Sequence, residues 1–263
     1  MQLKTLLLAG FMATVAMARS APTKEHPNVL DDGLQQETTF RVGKRAVSIN
    51  TIVHVVSASN SPDGGNVPDA LIQRQTQVLN NAFGFIGISF RLAGVDRTIH
   101  PAWSNGDNER DMKNALRKGD ATTLNIYLVS KLGGKTGDTP PPWDYQSNPA
   151  MDGCSILHTT MPGGSNPSYN KGITLVHEVG HWLGLYHTFE GGCTAPGDYV
   201  DDTPFQATAS LGCQAGRDSC PQPGVDPIHN YMDTSDDNCR TEFTPGQAIR
   251  MAQIAKQYRG ISV

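Results

Sequence analysis

An α+β fold with a twisted mixed β-sheet is what the sequence predicts. Before residue 130, runs rich in β-branched residues alternate with stretches of helical periodicity. After the middle of the chain, Gly, Pro and Cys become frequent and apolar periodicity is weak. These observations predict a larger N-terminal lobe, residues 46–187, in which helices back the sheet. They also predict a small irregular C-terminal lobe, residues 188–263, that disulfides hold together.

The composition fits one globular domain, since 38% of the 263 residues are hydrophobic and 17% are charged. The formal net charge is -4, and the Lys and Arg residues are scattered rather than clustered. A nucleic acid or an anionic membrane surface would require a basic patch, so neither is an expected partner. We expect a monomer.

Residues 1–18 have the pattern of a secretory signal peptide. Lys4 supplies the positive charge, an apolar run follows from Leu6 to Ala16, and Ala16-Met17-Ala18 forms a cleavage site. The alternative is a membrane anchor, but the run is shorter than the roughly 20 residues that a span needs. A secreted, extracellular protein is therefore expected, and secretion permits disulfides.

Residues 19–45 are polar, lack regular periodicity and end on the dibasic pair Lys44-Arg45. We interpret them as a pro-segment or flexible arm that is trimmed after Arg45, the alternative being a solvated terminal strand. The segment holds no cysteine, so a propeptide thiolate cannot bind a metal and cause latency. A carboxylate would have to serve instead, and the candidates are Asp31, Asp32 and Glu37.

The remaining elements follow in order along residues 46–263. Strands are predicted at Val47–Ser57, Ile86–Leu92, Thr122–Val129 and, briefly, Cys154–His158. Helices are predicted from Pro68, over Glu109–Leu116 and after Thr244-Pro245, where Ala248, Ile249, Ala252, Ala255 and Tyr258 would form the packing face. Residues 131–151 are expected to be an irregular surface loop. His54 and His158 are interpreted as packed or surface histidines.

One short segment carries the chemistry. His177 and His181 lie four residues apart, so on a helix their imidazoles share one face and can bind one metal ion. His187 cannot reach that face if the helix continues, and Gly184 is where the chain can leave it. Three imidazoles with one open position are typical of catalytic zinc, and the adjacent Glu178 can accept a proton from water.

This pattern resembles the metzincin metallopeptidases, which also have a methionine turn, here His229-Asn230-Tyr231-Met232-Asp233. The closer similarity is to the pappalysin or cytophagalysin type, and especially to small secreted extracellular metalloproteases of fungi. Four further segments carry it, namely Met161–Gly164, Tyr169–Thr174, Gly197–Pro204 and Phe243–Gln247.

The resemblance implies a secreted zinc endopeptidase that hydrolyses peptide bonds of extracellular proteins through a zinc-bound water activated by Glu178. Met232 would form an apolar floor beneath the imidazoles without binding the metal. The strand Cys154–His158 would be the sheet edge along which an extended substrate binds antiparallel.

Two rivals remain open. An aminopeptidase would need a carboxylate for the substrate amine, and no motif indicates one. The second rival is a catalytically weak or inactive zinc-bearing binding protein. The intact Glu178 argues against it. Thr234 argues weakly for it, because related families often carry an oxyanion-holding tyrosine there and threonine is too short to replace it.

Four of the five cysteines follow the metal motif, and their spacing alone allows three pairings. The family resemblance favours Cys193 with Cys220 and Cys213 with Cys239. Cys154 remains, and we interpret it as a buried strand residue. Relatives bind calcium in the C-terminal lobe, so Asp198, Asp201, Asp202 and Thr203 are either calcium ligands or a solvated acidic loop.

Overall fold

A five-stranded sheet organises residues 46–263, the part of the chain that the computed structural model describes. The predicted signal peptide, residues 1–18, and the predicted arm, residues 19–45, lie outside the described residues. All described residues belong to one compact unit, so the lobe boundary after residue 187 stays a prediction.

The sheet is mixed, as predicted. Its strands are β1 Val47–Ser57, β2 Ile88–Ile99, β3 Leu124–Val129, β4 Gly137–Asp138 and β5 Cys154–Leu157. Their order in space is β2-β1-β3-β5-β4. Strands β2, β1, β3 and β5 run parallel to one another, and β4 alone pairs antiparallel with β5. The short β4 therefore closes one edge of the sheet.

Helices cover both faces of the sheet. They are α1 Asp69–Phe83, the single turn α2 Pro101–Ser104, α3 Glu109–Leu116, α4 Ile173–Trp182 and α5 Pro245–Ile254. Helix α1 is the crossover that joins the parallel strands β1 and β2. Helix α5 begins at a capping box, in which the Thr244 side chain accepts from the Gln247 backbone and the Gln247 side chain accepts from the Thr244 backbone. None of the helices in residues 46–263 has the length and apolar character of a membrane span.

Strand β3 explains where the core lies. Its six residues are all buried, because the strand is central and both of its faces are covered. Ile126 and Leu128 belong to the main core, which also contains the apolar faces of α1, α4 and α5. Tyr127 and Val129 point to the other face, where they pack with Met112 of α3.

Two strand predictions were wrong in detail. The second strand continues to Ile99, although we expected it to end at Leu92. Cys154–His158 was predicted as the sheet edge, but β5 lies between β3 and β4, and His158 begins a 3-10 turn. The true edge, β4, lies inside the predicted loop 131–151. A two-residue strand that contains Gly137 has no alternating pattern to reveal it.

The predicted packing face of α5 was shifted around the helix. Ile249, Ala252 and Tyr258 are only half-buried. The buried residues are instead Gln247, Ala248, Met251, Ile254 and, just beyond the helix, Ala255. The backbone then widens into a π turn at Ala255–Arg259. The helix thus presents Met251 and Ile254 to the core, and Ile249 lies towards its more exposed side.

Candidate metal centre

Helix α4 carries the first part of the centre. It begins after Gly172, whose φ of +82° favours glycine, and whose carbonyl accepts a hydrogen bond from the buried Gln75 side chain of α1. His177 and Glu178 are buried, with exposures of 6% and 5%. Helix α1 therefore fixes the start of the helix that presents the predicted ligands.

The chain leaves α4 where the sequence predicted. The helix ends at Trp182, and Gly184 has a φ of +101°. A Cβ on residue 184 would also stand 2.2 Å from Ile254 Cγ2 of α5. Residue 184 must therefore be glycine for its backbone angle and for its packing. The reversal lets His187 return towards His181.

Three imidazole nitrogens converge on one point. The Nε2 atom of His181 lies 3.0 Å from Nε2 of His177 and 3.2 Å from Nε2 of His187. The Nδ1 atoms of His177 and His181 donate to the carbonyls of Tyr231, at 2.7 Å, and Leu185, at 2.8 Å. A neutral imidazole has one N–H, so the Nε2 lone pairs of these two rings face each other. Such an arrangement repels itself unless a cation accepts the lone pairs, and the residues present therefore fit a bound metal.

The environment keeps these rings neutral. Burial and the neighbouring imidazoles hold the pKa of His177 well below its usual range, and burial also lowers the pKa of His181. Burial, together with His181, lowers the pKa of His187 to about 3. A neutral imidazole is the form that binds a metal, so the set is ready for one across the physiological pH range.

Glu178 lies beside the three rings in a place with little water. Burial raises the pKa of its carboxyl to about 8 in the metal-free chain. Its Oε2 is buried and has no hydrogen-bond partner among the described residues. A divalent cation next to this carboxyl would favour the ionised form. An unpartnered carboxylate oxygen beside a metal position can accept a proton from water.

Met232 lies beneath the helix at the level of the imidazoles. Its side chain is fully buried, and its sulfur packs against Gly180, between the two helical histidines. The methionine turn also supplies the Tyr231 carbonyl that orients His177. The main-chain N–H of Thr188, next to His187, donates to the Met232 carbonyl at 3.3 Å. The methionine turn is therefore hydrogen-bonded both to His177 and to the residue that follows His187.

Thr234 makes two hydrogen bonds with other parts of the chain. Its hydroxyl donates to the carbonyl of Ser210 at 3.0 Å, and its own carbonyl accepts from the Tyr169 hydroxyl at 2.9 Å. The Thr234 side chain is therefore engaged with the backbone of the C-terminal region. It is not free to contact a reacting carbonyl.

The cysteines form two disulfides in the part of the chain described. Cys193 is joined to Cys220 and Cys213 to Cys239. Cys154 is free and buried in β5, where burial raises the pKa of its thiol. Within residues 46–263, the other group with metal-ligating atoms close together is Cys213, His229 and Cys239, but two of its members share a disulfide.

Three of the four predicted calcium ligands, Asp198, Asp202 and Thr203, make hydrogen bonds within the protein. Both oxygens of the Asp198 carboxylate accept hydrogen bonds from the Thr203 hydroxyl. Asp202 caps α5 by accepting from the Thr244 hydroxyl and the Gly246 N–H. Within the described residues, Asp198, Asp201 and Asp202 do not form a cluster whose ligand atoms lie within 4.8 Å of one another. This geometry gives the calcium hypothesis no support.

Several residues that shape the centre were not found from the sequence. The Tyr231 carbonyl and the small residue Gly180 belong to motifs we identified, but backbone groups and glycines carry no chemical signal of their own. Gly137 of β4 was missed because its strand was missed. The buried ion pair of Asp152 with Arg259, at 2.8 Å, joins residues 107 positions apart. Only a folded chain reveals such a pair.

The sequence is similar to known metalloproteases. Residues 153–256 match the profile of the M43 peptidase family, described as pregnancy-associated plasma protein-A. An extracellular metalloprotease of Sordaria macrospora is 45% identical, with 98% of each chain covered. One of Pyricularia oryzae is 52% identical over 84% of this chain and 79% of the relative.

The fold is also similar to that of a solved structure. Mature mirolysin of Tannerella forsythia, determined in complex with a cleaved peptide, superposes with a TM-score of 0.69 at 29% identity. The match covers 81% of this chain and 93% of mirolysin. The similarity to the fungal enzymes extends over nearly the whole sequence, and the histidines lie within the matched profile. The chain therefore belongs to the M43 family of metallopeptidases, together with the fungal extracellular metalloproteases, and is a metalloendopeptidase.

Proposed function

We propose that the protein is a secreted zinc endopeptidase in which His177, His181 and His187 bind the metal and Glu178 is the general base. The observation that carries the proposal is the convergence of three Nε2 atoms, 3.0 Å and 3.2 Å apart, next to a buried carboxyl. Three nitrogen ligands with an open position are typical of catalytic zinc. A zinc ion there would lower the pKa of a water in the open position and polarise the scissile carbonyl.

The side chains of this chain would then divide the work. Glu178 takes the proton from the attacking water and later gives it to the leaving amine. The Tyr231 and Leu185 carbonyls hold His177 and His181 in the tautomer that presents Nε2. Met232 fixes the depth of the rings through its contact with Gly180. Thr234 takes no part in this scheme, because its hydroxyl is bound to the Ser210 carbonyl.

We place the substrate along β4. This strand forms the edge of the sheet, and among the described residues its outer side pairs with no other strand. An edge offers main-chain N–H and C=O groups to any extended peptide, which gives affinity with little dependence on sequence. Gly137 of this strand lies against Glu178, so a peptide bound at the edge would pass the carboxyl. Extracellular proteins with exposed segments are the expected substrates.

Secretion is part of the proposal. The relatives are called extracellular metalloproteases, and residues 1–18 have the pattern of a signal peptide. Disulfides joining Cys193 with Cys220 and Cys213 with Cys239 suit an oxidising compartment. The N-terminus of the mature protein, read by mass spectrometry, tests both this and the predicted trimming after Arg45.

The test is cleavage of casein by purified protein with and without a zinc chelator, alongside the Glu178→Ala variant. Chelation should abolish hydrolysis and added zinc should restore it. Glu178→Ala should bind one zinc ion per chain yet lose activity by about 10²-fold to 10⁴-fold, the usual contribution of a general base. Hydrolysis that survives the chelator or the substitution would overturn the proposal. A wild-type protein that binds zinc without hydrolysing anything would instead be the binding protein considered from the sequence.

A further inference from the structure

The edge strand β4 lies directly against the side chain of Glu178. A Cβ built on Gly137 would stand 2.3 Å from Glu178 Oε1, 2.6 Å from Cδ and 2.7 Å from Cγ. Real Cβ atoms do not approach other atoms so closely. The carboxyl group therefore occupies the space that a side chain at position 137 would need.

Thr139 faces the same side of the chain as Gly137, because side chains alternate along an extended segment. Gly137 pairs with Ile156 and Asp138 with Ser155. Continuing this antiparallel register places Thr139 opposite Cys154. Burial dominates the pKa of both the Glu178 carboxyl and the Cys154 thiol and raises it, while the Thr139 hydroxyl beside them acts in the opposite direction. Register and electrostatics thus agree on the location of the hydroxyl.

Two polar atoms at this place are buried and lack partners. They are Thr139 Oγ1 and Glu178 Oε2. A hydroxyl can donate a hydrogen bond and a carboxylate can only accept one. Leaving either buried group unpaired is costly, whereas a hydrogen bond between the two would satisfy both. A hydrogen bond from the Thr139 hydroxyl to the Glu178 carboxylate would therefore leave neither atom unpaired.

We propose that Thr139 is a positioning residue for Glu178. Its hydroxyl donates to the carboxylate and fixes the direction in which Glu178 presents its proton-accepting oxygen. Gly137 leaves the room that this orientation requires. The inference rests on the proposed function, in which Glu178 acts as the general base, and it adds a residue that neither the metal motif nor the methionine turn contains.

The first experiment compares Thr139→Val, Thr139→Ser and wild type in kcat, KM, zinc content and melting temperature. Valine has nearly the same shape and no hydroxyl, so it should pack normally. We expect it to lower kcat about tenfold with KM changed less than about twofold, since orientation of the base is lost while binding is kept. Serine should restore kcat to within about twofold. Zinc content and melting temperature should match those of the wild type in both variants.

A matched control replaces another half-buried threonine. Thr76 on α1 donates its hydroxyl to the Ile72 carbonyl and lies outside the site, so Thr76→Val should leave kcat unchanged. A second readout needs no activity. In crystals of the metal-free protein, Glu178 should hold one conformation in wild type and Thr139→Ser, and more than one in Thr139→Val.

Gly137→Ala provides an independent variant. The added methyl group must displace the carboxyl, so we expect kcat to fall more than in Thr139→Val, by about 10²-fold, with zinc still bound. The proposal is overturned if Thr139→Val keeps wild-type kcat, or if serine fails to rescue it. Those results would leave the proposed function intact, provided that Glu178→Ala is inactive. Activity in Glu178→Ala would instead refute the proposed function itself.

Discussion

The sulfur of Met232 packs against the backbone of Gly180 so closely that a Cβ on residue 180 would stand 2.4 Å from it. Gly180 lies one residue before His181 and three after His177. The glycine in the metal motif and the methionine in the distant turn are therefore one packing unit. Substitution of either residue should therefore shift the positions of the His177 and His181 imidazoles.

The first prediction concerns this contact. Gly180→Ala should overpack the site and lower the free energy of unfolding by about 1 to 3 kcal/mol, although alanine favours helices. Zinc affinity should fall as well, because Met232 or α4 has to move. Urea unfolding and zinc competition measure the two effects. Gly84→Ala is the matched control, because a Cβ at residue 84 meets nothing within 4 Å and its φ of -59° suits alanine. Equal stability of the two variants would contradict the prediction.

The second prediction concerns removal of the metal. Three converging Nε2 atoms lose the cation that offsets their repulsion, so a chelator should lower the melting temperature. A ligand present at a hundred times its Kd stabilises by about 2.7 kcal/mol, and the shift should be about 5 to 10 °C. Scanning fluorimetry with and without chelator measures it. His187→Ala should lose the response, and His158→Ala should keep it. A full response in His187→Ala would exclude that histidine as a ligand.

The third prediction concerns the pH dependence of stability. Burial raises the pKa of Asp198 to about 6, against 3.8 for the unperturbed group. Since the folded-state pKa is the higher one, its contribution to stability is complete below pH 3.8 and is lost as the pH rises through 6. The loss should be about 2 to 3 kcal/mol. Asp198→Asn cannot ionise, so its unfolding free energy should fall less than that of wild type between pH 4 and about pH 7. Parallel curves for the two proteins would show the prediction to be wrong.

The fourth prediction concerns the buried pair of Arg259 and Asp152. Arg259 also donates to the Trp182 carbonyl at 2.8 Å, and its guanidinium lies 3.7 Å from the Trp182 ring centre. Arg259→Met should cost about 3 to 5 kcal/mol, because it leaves a carboxylate buried without its counter-charge. Chemical denaturation of the single variants and of the double variant with Asp152→Asn measures the coupling between the two residues.

An exposed ion pair provides the control for this experiment. Arg97 pairs with Asp69, whose side chain is 71% exposed. Arg97→Met should cost less than about 1 kcal/mol, because water already screens the charges. If the double variant at 152 and 259 were as unstable as the sum of its singles, the two residues would not be coupled.

Much of the fold was predictable from local patterns. Strand β1 is long and rich in β-branched residues, and its observed bounds equal the predicted ones. The mixed sheet and the irregular, disulfide-bearing C-terminal region were also expected, because the periodicity of apolar residues indicates which parts of a strand or helix are buried. The edge strand β4 was not expected, since two residues that include Gly137 carry no period. The Pro245 helix was placed correctly, but its rotation depends on how Ile254 meets Gly184, which no local pattern contains.

The candidate site also contains residues that the sequence indicates and residues that it does not. His177, Glu178, His181 and His187 are side chains with chemical identity, and their spacing already indicated one face and one reversal. Backbone groups are different. Nothing in the sequence distinguishes the Tyr231 carbonyl from other carbonyls. Thr139 likewise carries no signal, and only the register of β4 shows that it lies beside Glu178. The roles of such groups depend on where the fold places them, and a local sequence pattern does not reveal that place.

The bond from His177 to the Tyr231 carbonyl also has a consequence for the order in which the enzyme matures. The three imidazoles lie within eleven residues, yet the acceptor that aligns His177 is synthesised 54 residues later. A nascent chain that has emerged only as far as His187 has its imidazoles but not their alignment. We therefore expect a chain truncated before residue 231 to contain the three imidazoles without the carbonyl that aligns His177.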